Sequence, residues 1–209
     1  YRTKLRVYGH VYARTLEEVV GECRRLRDDG FTAVGHLNPF LDEAEDEPYF
    51  RSHVGKVRDA VERVGAFRDA VGPDVDLLIE MHRRLNPAEA IAIGRAIERF
   101  SPMWLEDPLR PEFVPQLDHV ARAVGVPIAT GERFIGPAEF HAQLAGGGVR
   151  YARASPGVCG GITGARKIAA LAEAQNVELA PHNPLSPVSL AACIQVAAVA
   201  PNFAIQEYP

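Results

Sequence analysis

Sulfur, surplus charge and long apolar runs are all scarce in this chain of 209 residues. Its three cysteines, Cys23, Cys159 and Cys193, are odd in number and widely spaced, with no pairing that would hold zinc or build a disulfide framework. They read as reduced, small apolar residues packed inside a cytoplasmic protein. Basic residues do not outnumber acidic ones: 23 Lys and Arg stand against 27 Asp and Glu, a net charge of -4. That removes the electrostatic case for a nucleic acid or an anionic membrane as partner. No apolar run approaches the roughly 20 residues that a bilayer span needs, and the N-terminus shows no signal-peptide pattern. What remains is an ordinary soluble composition with enough apolar residues for one sizeable core. The chain opens at Tyr1 rather than Met and stops at Pro209 directly after a strand-like run, so it is expected to be part of a longer polypeptide.

Short apolar runs alternate with helical periodicity throughout. Strands are expected at 5–8, 33–37, 76–80, 102–106, 127–131, 150–154, 178–181 and 204–207, and helices at 16–28, 53–71, 87–100, 113–124, 137–144, 163–175 and 187–198. Asn86-Pro87 supplies a capping side chain before a helix-compatible proline, and Gly30, Gly72 and Gly125 mark helix ends. Eight strands alternating with helices predict an α/β fold of the (β/α)8 TIM-barrel type, lacking its last helix; an open doubly wound sheet is the rival. One connection, 38–52, is long and acidic. It is a solvated surface loop or a lid that brings Tyr49 or Phe50 onto a substrate.

Glu80, Glu106 and Glu132 recur at intervals of 26 residues, each closing an apolar run. That interval fits one strand, one helix and two turns, so the three read as equivalent positions in consecutive β-α units. In a parallel barrel the strand ends converge on one mouth. Three converging carboxylates repel one another unless a cation sits among them, and Mg2+, a hard ion that takes oxygen ligands, is the first candidate. Glu80 and His82 share a strand face, since they are two apart. His182, 50 residues beyond Glu132, reaches the same mouth from the other side. Two opposed histidines permit acid/base work on a proton beside a carboxylate, with the cation stabilising the charge that develops. Glu207, closing the last strand, is assigned to the mouth rather than to a solvated chain end. For Arg83 and Arg133, substrate contact and a structural ion pair stand level. His36 either faces the mouth or has no role there, and Gly160-Gly161 reads as a tight turn before a helix.

At these residues the whole chain resembles the barrel domain of the enolase superfamily, in its mandelate racemase/muconate lactonizing enzyme branch and nearest to acid-sugar dehydratases of the D-galactonate type. The motifs that carry the resemblance are Glu80-Met81-His82-Arg83, Trp104-Leu105-Glu106-Asp107-Pro108, Pro127-Ile128-Ala129-Thr130-Gly131-Glu132-Arg133, Cys159-Gly160-Gly161-Ile162-Thr163, Ala180-Pro181-His182-Asn183-Pro184-Leu185 and Ile205-Gln206-Glu207. The resemblance implies one Mg2+ held by Glu80, Glu106 and Glu132. It implies His182 as the base that removes the α proton, His82 as the acid that expels the 3-hydroxyl, and Glu207 as a hydrogen-bond partner of the enediolate oxygen. Arg83, Arg133, Asn183 and Tyr49 complete the set as expected substrate contacts. The implied substrate is a small sugar acid, the product a 2-keto-3-deoxy acid, and the assembly, by analogy, a homo-oligomer. Members also carry an N-terminal capping domain that sets specificity, which this sequence does not include.

Two departures bear on the chemistry. Glu80 stands where the family usually has Asp. Ser155 stands where the dehydratases have an Asp that orients and strengthens the histidine base, so His182 is expected to be a weaker base or to use another partner. Strand two, Gly35-His36-Leu37-Asn38, lacks the paired lysines of racemase-type members. Beside dehydration, two further readings stand: epimerisation of a hydroxy acid with His82 and His182 as opposed bases, and a non-catalytic relative that binds metal or a sugar acid.

Overall fold

The computed structural model describes residues 2–41, 52–183 and 186–209. Strands and helices alternate: β1 (Val7–His10), α1 (Leu16–Asp28), β2 (Ala33–Leu37), α2 (His53–Val71), β3 (Asp76–Glu80), α3 (Pro87–Ile97), β4 (Trp104–Glu106), α4 (Leu117–Ala123), β5 (Ile128–Thr130), α5 (Pro137–Leu144), β6 (Val149–Ala152), α6 (Gly161–Ala174), β7 (Glu178–Leu179), α7 (Pro187–Val199) and β8 (Gln206–Tyr208). All eight strands pair in parallel, in the order β7-β6-β5-β4-β3-β2-β1-β8. The order runs round without the reversal that defines a doubly wound sheet, so that rival falls. The sheet curls until its edges meet. Leu179 N donates to Asn202 O at 2.8 Å, and Ala204 N donates to Leu179 O at 2.9 Å, tying β7 to the segment that leads into β8.

Local chemistry explains the helix starts. The Thr15 hydroxyl accepts from Glu18 N at 3.3 Å while the Glu18 carboxylate accepts from Thr15 N at 3.0 Å, a reciprocal box that satisfies two orphan amides of α1. Asn86 and Glu89 repeat the device on α3, with Pro87 in the first turn where no amide is needed. Packing forms two layers. Leu77, Ile79 and Leu105 join the large cluster between sheet and helices. Tyr8, Leu78, Trp104, Ala129 and Ile205, the alternate residues, fill the inner face.

Element existence agrees with expectation throughout, but several ends move. The strand expected at 5–8 lies two residues later, at Val7–His10, so His10 rather than Tyr8 is its last residue. The helix expected at 87–100 is α-helical only to Ile97 and tightens to a 3-10 turn through Phe100. The segment 113–124 is a 3-10 stretch, Pro111–Gln116, followed by the short α4; Pro115 cannot donate to an α-helical ladder there. Most of the 38–52 connection, with Tyr49 and Phe50, lies outside the described residues.

Candidate active site

Strand parity decides which side chains reach the mouth. Leu78 faces inward, so Glu80 does too; Trp104 carries Glu106 with it, Ile205 carries Glu207, and Tyr8 carries His10. Glu80 and Glu106 are register partners on neighbouring strands. Glu132 is not their equivalent, which corrects the reading from equal spacing. Glu106 pairs with Ala129, three residues earlier, and strand parity would turn Glu132 toward the helices. Gly131 resolves this: at φ 128° it takes a conformation that L side chains rarely adopt, and an added Cβ would sit 2.5 Å from the Phe140 ring. The turn brings Glu132 back over the mouth.

One oxygen from each of Glu80, Glu106 and Glu132 lies within 4.8 Å of the others. Glu80 and Glu106 are each only 3% exposed, so water cannot screen them. Burial pushes the Glu106 carboxyl up to about 7, against the lowering charge of Arg153, with Glu132 and Asp107 adding to the rise. Burial, then Glu106, Asp107 and Glu132, raise Glu80 well above the carboxylate range. Burial also disfavours ionised Glu132, but the hydrogen bond and charge of His182 and the charge of Arg83 outweigh it and hold that carboxyl low. Burial and mutual repulsion disfavour charge on Glu80 and Glu106 unless positive charge is added. An all-oxygen set of this size and charge fits a hard divalent cation.

The surroundings are built to orient these oxygens. Trp104 Nε1 donates to Glu106 Oε2 at 3.0 Å, and Arg153 Nε donates to Glu106 Oε1 at 2.5 Å. Arg153 is 1% exposed and also donates to Tyr8 Oη at 2.9 Å, Glu207 Oε2 at 2.9 Å and Ala180 O at 3.1 Å. Glu207 further accepts from Asn183 N at 2.7 Å. Burial alone would raise its carboxyl, but Arg153, His182, that amide and His10 together bring it below the usual range. Arg83 pairs with Glu132 and lies 3.2 Å from Asp107. His82 N donates to Glu80 Oε1 at 2.6 Å, and burial with the adjacent Arg83 pushes the His82 ring down to about 4.

These side chains line one cavity of about 550 Å³. It gathers Glu80, Glu106, Glu132, His82, His182, Glu207, Arg83 and Arg133, eight of the ten expected site residues. Of the remainder, Tyr49 is outside the described residues, and Asn183 is fully buried and does not line the cavity, meeting the site only through its backbone amide. Arg83 is ion-paired at the cavity wall. Arg133 is exposed there, with no ion-pair partner among the described residues. His182 Nε2 lies 3.2 Å from Glu132 Oε2, so its partner is a carboxylate of the trio. Its Nδ1 and the Ser155 hydroxyl are both buried without a hydrogen bond.

Arg153, His10 and His36 are among the lining residues that escaped the sequence reading or were left open by it. Arg153 follows Tyr151 by two, on the inward face, and this parity was its available signal. His10 was hidden by the displaced end of β1. His36 was ambiguous because parity points it outward. The ladder between β2 and β3 shifts register between Val34 and Leu37, and His36 sits at φ 57°, an irregularity of the kind that re-aims a side chain.

Comparison with known proteins agrees with this architecture. The family model described as enolase C-terminal domain-like matches residues 18–209. A D-galactonate dehydratase from Variovorax paradoxus is 34% identical over 206 residues, 99% of this chain and 52% of that protein. The chain thus spans about half the length of the curated relatives it matches. A mandelate racemase/muconate lactonizing enzyme from Sulfitobacter superposes with a TM-score of 0.89 at 34% identity, over 98% of this chain and 54% of the other. An enolase from Agrobacterium radiobacter, solved with sodium and L-malate bound, gives 0.88 at 29% identity, covering 100% of this chain and 52% of that one.

Proposed function

The chain belongs to the enolase C-terminal domain-like family, and from that premise we propose that it is the (β/α)8 barrel domain of a Mg2+-dependent acid-sugar dehydratase. The observation that carries this reading is the convergence of Glu80, Glu106 and Glu132 in one cavity with histidines on two sides. The related proteins named D-galactonate dehydratase support the reaction class. The substrate is a sugar acid with a hydroxyl two carbons from its carboxylate carbon.

Glu80, Glu106 and Glu132 would hold the ion. When bound, Mg2+ supplies Lewis-acid stabilisation of the negative charge that grows on the substrate carboxylate as its α proton leaves. His182 removes that proton. Glu132, beside its Nε2, orients the ring, the service that an Asp at Ser155 would otherwise give from Nδ1. His82 delivers a proton to the departing 3-hydroxyl; its low pKa makes the charged ring scarce at neutral pH but a strong donor when formed. Arg133, an exposed cation at the cavity, attracts the acid substrate. Glu207, fixed by Arg153 and Asn183 N, would donate to the enediolate oxygen once it carries a proton. The rest of the full-length protein includes the cap over the mouth.

The test uses the full-length protein with Mg2+ in D2O, a panel of acid sugars, and mass spectrometry. Water loss from one acid is expected, abolished in His182→Asn. His82→Asn should keep deuterium uptake at the α carbon and lose elimination. Uptake without water loss in the wild type would replace dehydration by epimerisation. No change across the panel would leave a non-catalytic binder.

A further inference from the structure

We propose that His10 and His36 form a hydroxyl-reading wall on the β1–β2 side of the cavity, suited to the uncharged polyhydroxy tail of a monocarboxylic acid. The proposal rests on the reading of His82 as the residue that meets the 3-hydroxyl, because His36 stands next to it, with ring centroids 6.0 Å apart and planes at 78°. A chain extending past His82 along the rim meets His36 and then His10. Those two rings stack at 4.2 Å, and Tyr12 covers the far face of His10 at 4.1 Å. The three rings make one continuous stack held by β1, β2 and the start of the β1–α1 loop, with His10 buried between His36 and Tyr12.

Two independent features say that this surface is meant for a ligand. His10 is only 8% exposed, yet both of its ring nitrogens lack a hydrogen-bond partner; Nε2 stands 3.4 Å from Glu207 Oε1 without bonding to it. A buried polar ring left unpaired costs free energy, and in a cavity wall that cost is recovered when a ligand supplies the partners. His36 reaches the cavity only through a broken ladder and a left-handed backbone, strain that persists where function holds it. The chemistry of the wall then selects the ligand. A neutral imidazole offers one donor and one acceptor, which suits hydroxyls. Burial and the neighbouring His36 keep His10 neutral in the physiological range. The cations lining the cavity, Arg83, Arg133 and Arg153, all follow β3, β5 or β6, so a second carboxylate would find no counter-charge on the β1–β2 side among the described residues.

The test takes the full-length protein with Mg2+ and 2,3-dihydroxy acids of three to six carbons, with the six-carbon diacid beside them. Binding is measured by calorimetry and water loss by mass spectrometry. Wild type should bind more tightly with each added hydroxyl and should prefer the monoacid to the diacid. In His36→Phe the gain with length should vanish, roughly tenfold or more at six carbons, while the three-carbon acid is little changed. His36→Gln, which keeps a donor and an acceptor, should recover part of the gain. His10→Phe should act in the same direction. Because His10 is buried and its replacement could disturb folding, His36→Phe is the decisive variant, its site being open. Affinity independent of length in the wild type, equal losses for short and long acids in His36→Phe, or preference for the diacid would each overturn the wall. Length-dependent binding without water loss would keep the wall and sink dehydration; water loss without length dependence would do the reverse.

Discussion

The acidic arc of the mouth, running from Glu80 on β3 to Glu132 beyond β5, and the imidazole arc, His10 and His36 at the ends of β1 and β2, face the same cavity but meet their electrostatic needs differently. In the acidic arc every carboxylate has a protein donor: Trp104 and Arg153 for Glu106, the His82 amide for Glu80, Arg83 and His182 for Glu132. Its geometry is fixed before anything binds, as an ion with strict coordination demands requires. In the imidazole arc the rings are fixed by stacking while the nitrogens of His10 stay unpaired. One arc is pre-organised by hydrogen bonds and waits for charge. The other is pre-organised by shape and waits for hydrogen bonds.

Breaking the acidic arc should have the largest effect. Glu106→Gln keeps the side chain's size and removes one charge, and Mg2+ affinity by calorimetry should fall at least about 100-fold, more than the loss of an orienting neighbour costs. Affinity within a few-fold of wild type would mean that the trio is not the ion's site. Arg153 spans the two arcs, since it bonds Glu106 and also Glu207, the carboxylate beside His10. Arg153→Met leaves both carboxylates buried without their cation, so unfolding by denaturant without Mg2+ should cost about 3–5 kcal/mol of stability. Added Mg2+ should restore much of that loss, whereas a loss equal with and without the ion would reduce Arg153 to a packing residue.

The last test separates the arcs by acid. Burial, chiefly, and His36, Arg153 and His182 push His10 down to about 3 from an ordinary 6.5, against the opposing charge of Glu207. Between those values the unfolded chain binds a proton that the folded ring refuses. The contribution of His10 to stability is therefore complete above pH 6.5 and is lost as pH falls toward 3. His10→Phe should flatten the acid limb of the stability curve by up to about 1.4 kcal/mol per pH unit. An unchanged acid limb would mean that His10 is hydrated in the folded protein.

The same contrast explains what was legible in the sequence. Glu80 and Glu106 end regular strands, where period two governs direction, so their place in the mouth followed from pattern alone. Glu132 was found by an interval whose structural meaning differs: its strand has already ended, and Gly131 does the turning. His36 depends on a register shift and a left-handed backbone that no apolar periodicity encodes. His10 depends on where β1 stops, and Val11, buried at 3%, prolongs the apolar run past any sequence-visible boundary. Arg153, between Ala152 and Ala154, resembles a solvated charge until Tyr8, Glu106 and Glu207 are seen around it.

The bond from Trp104 to Glu106 has a practical side. Trp104 is the one indole in the sequence, it is fully buried, and its N–H is held at 3.0 Å by an oxygen of the acidic arc. The Arg153 guanidinium lies 5.3 Å from the ring centroid. Any event that alters the charge on Glu106 alters the local field across a lone chromophore. The barrel therefore contains its own emission gauge: the colour and yield of its intrinsic fluorescence should follow occupancy of the mouth, with no label attached.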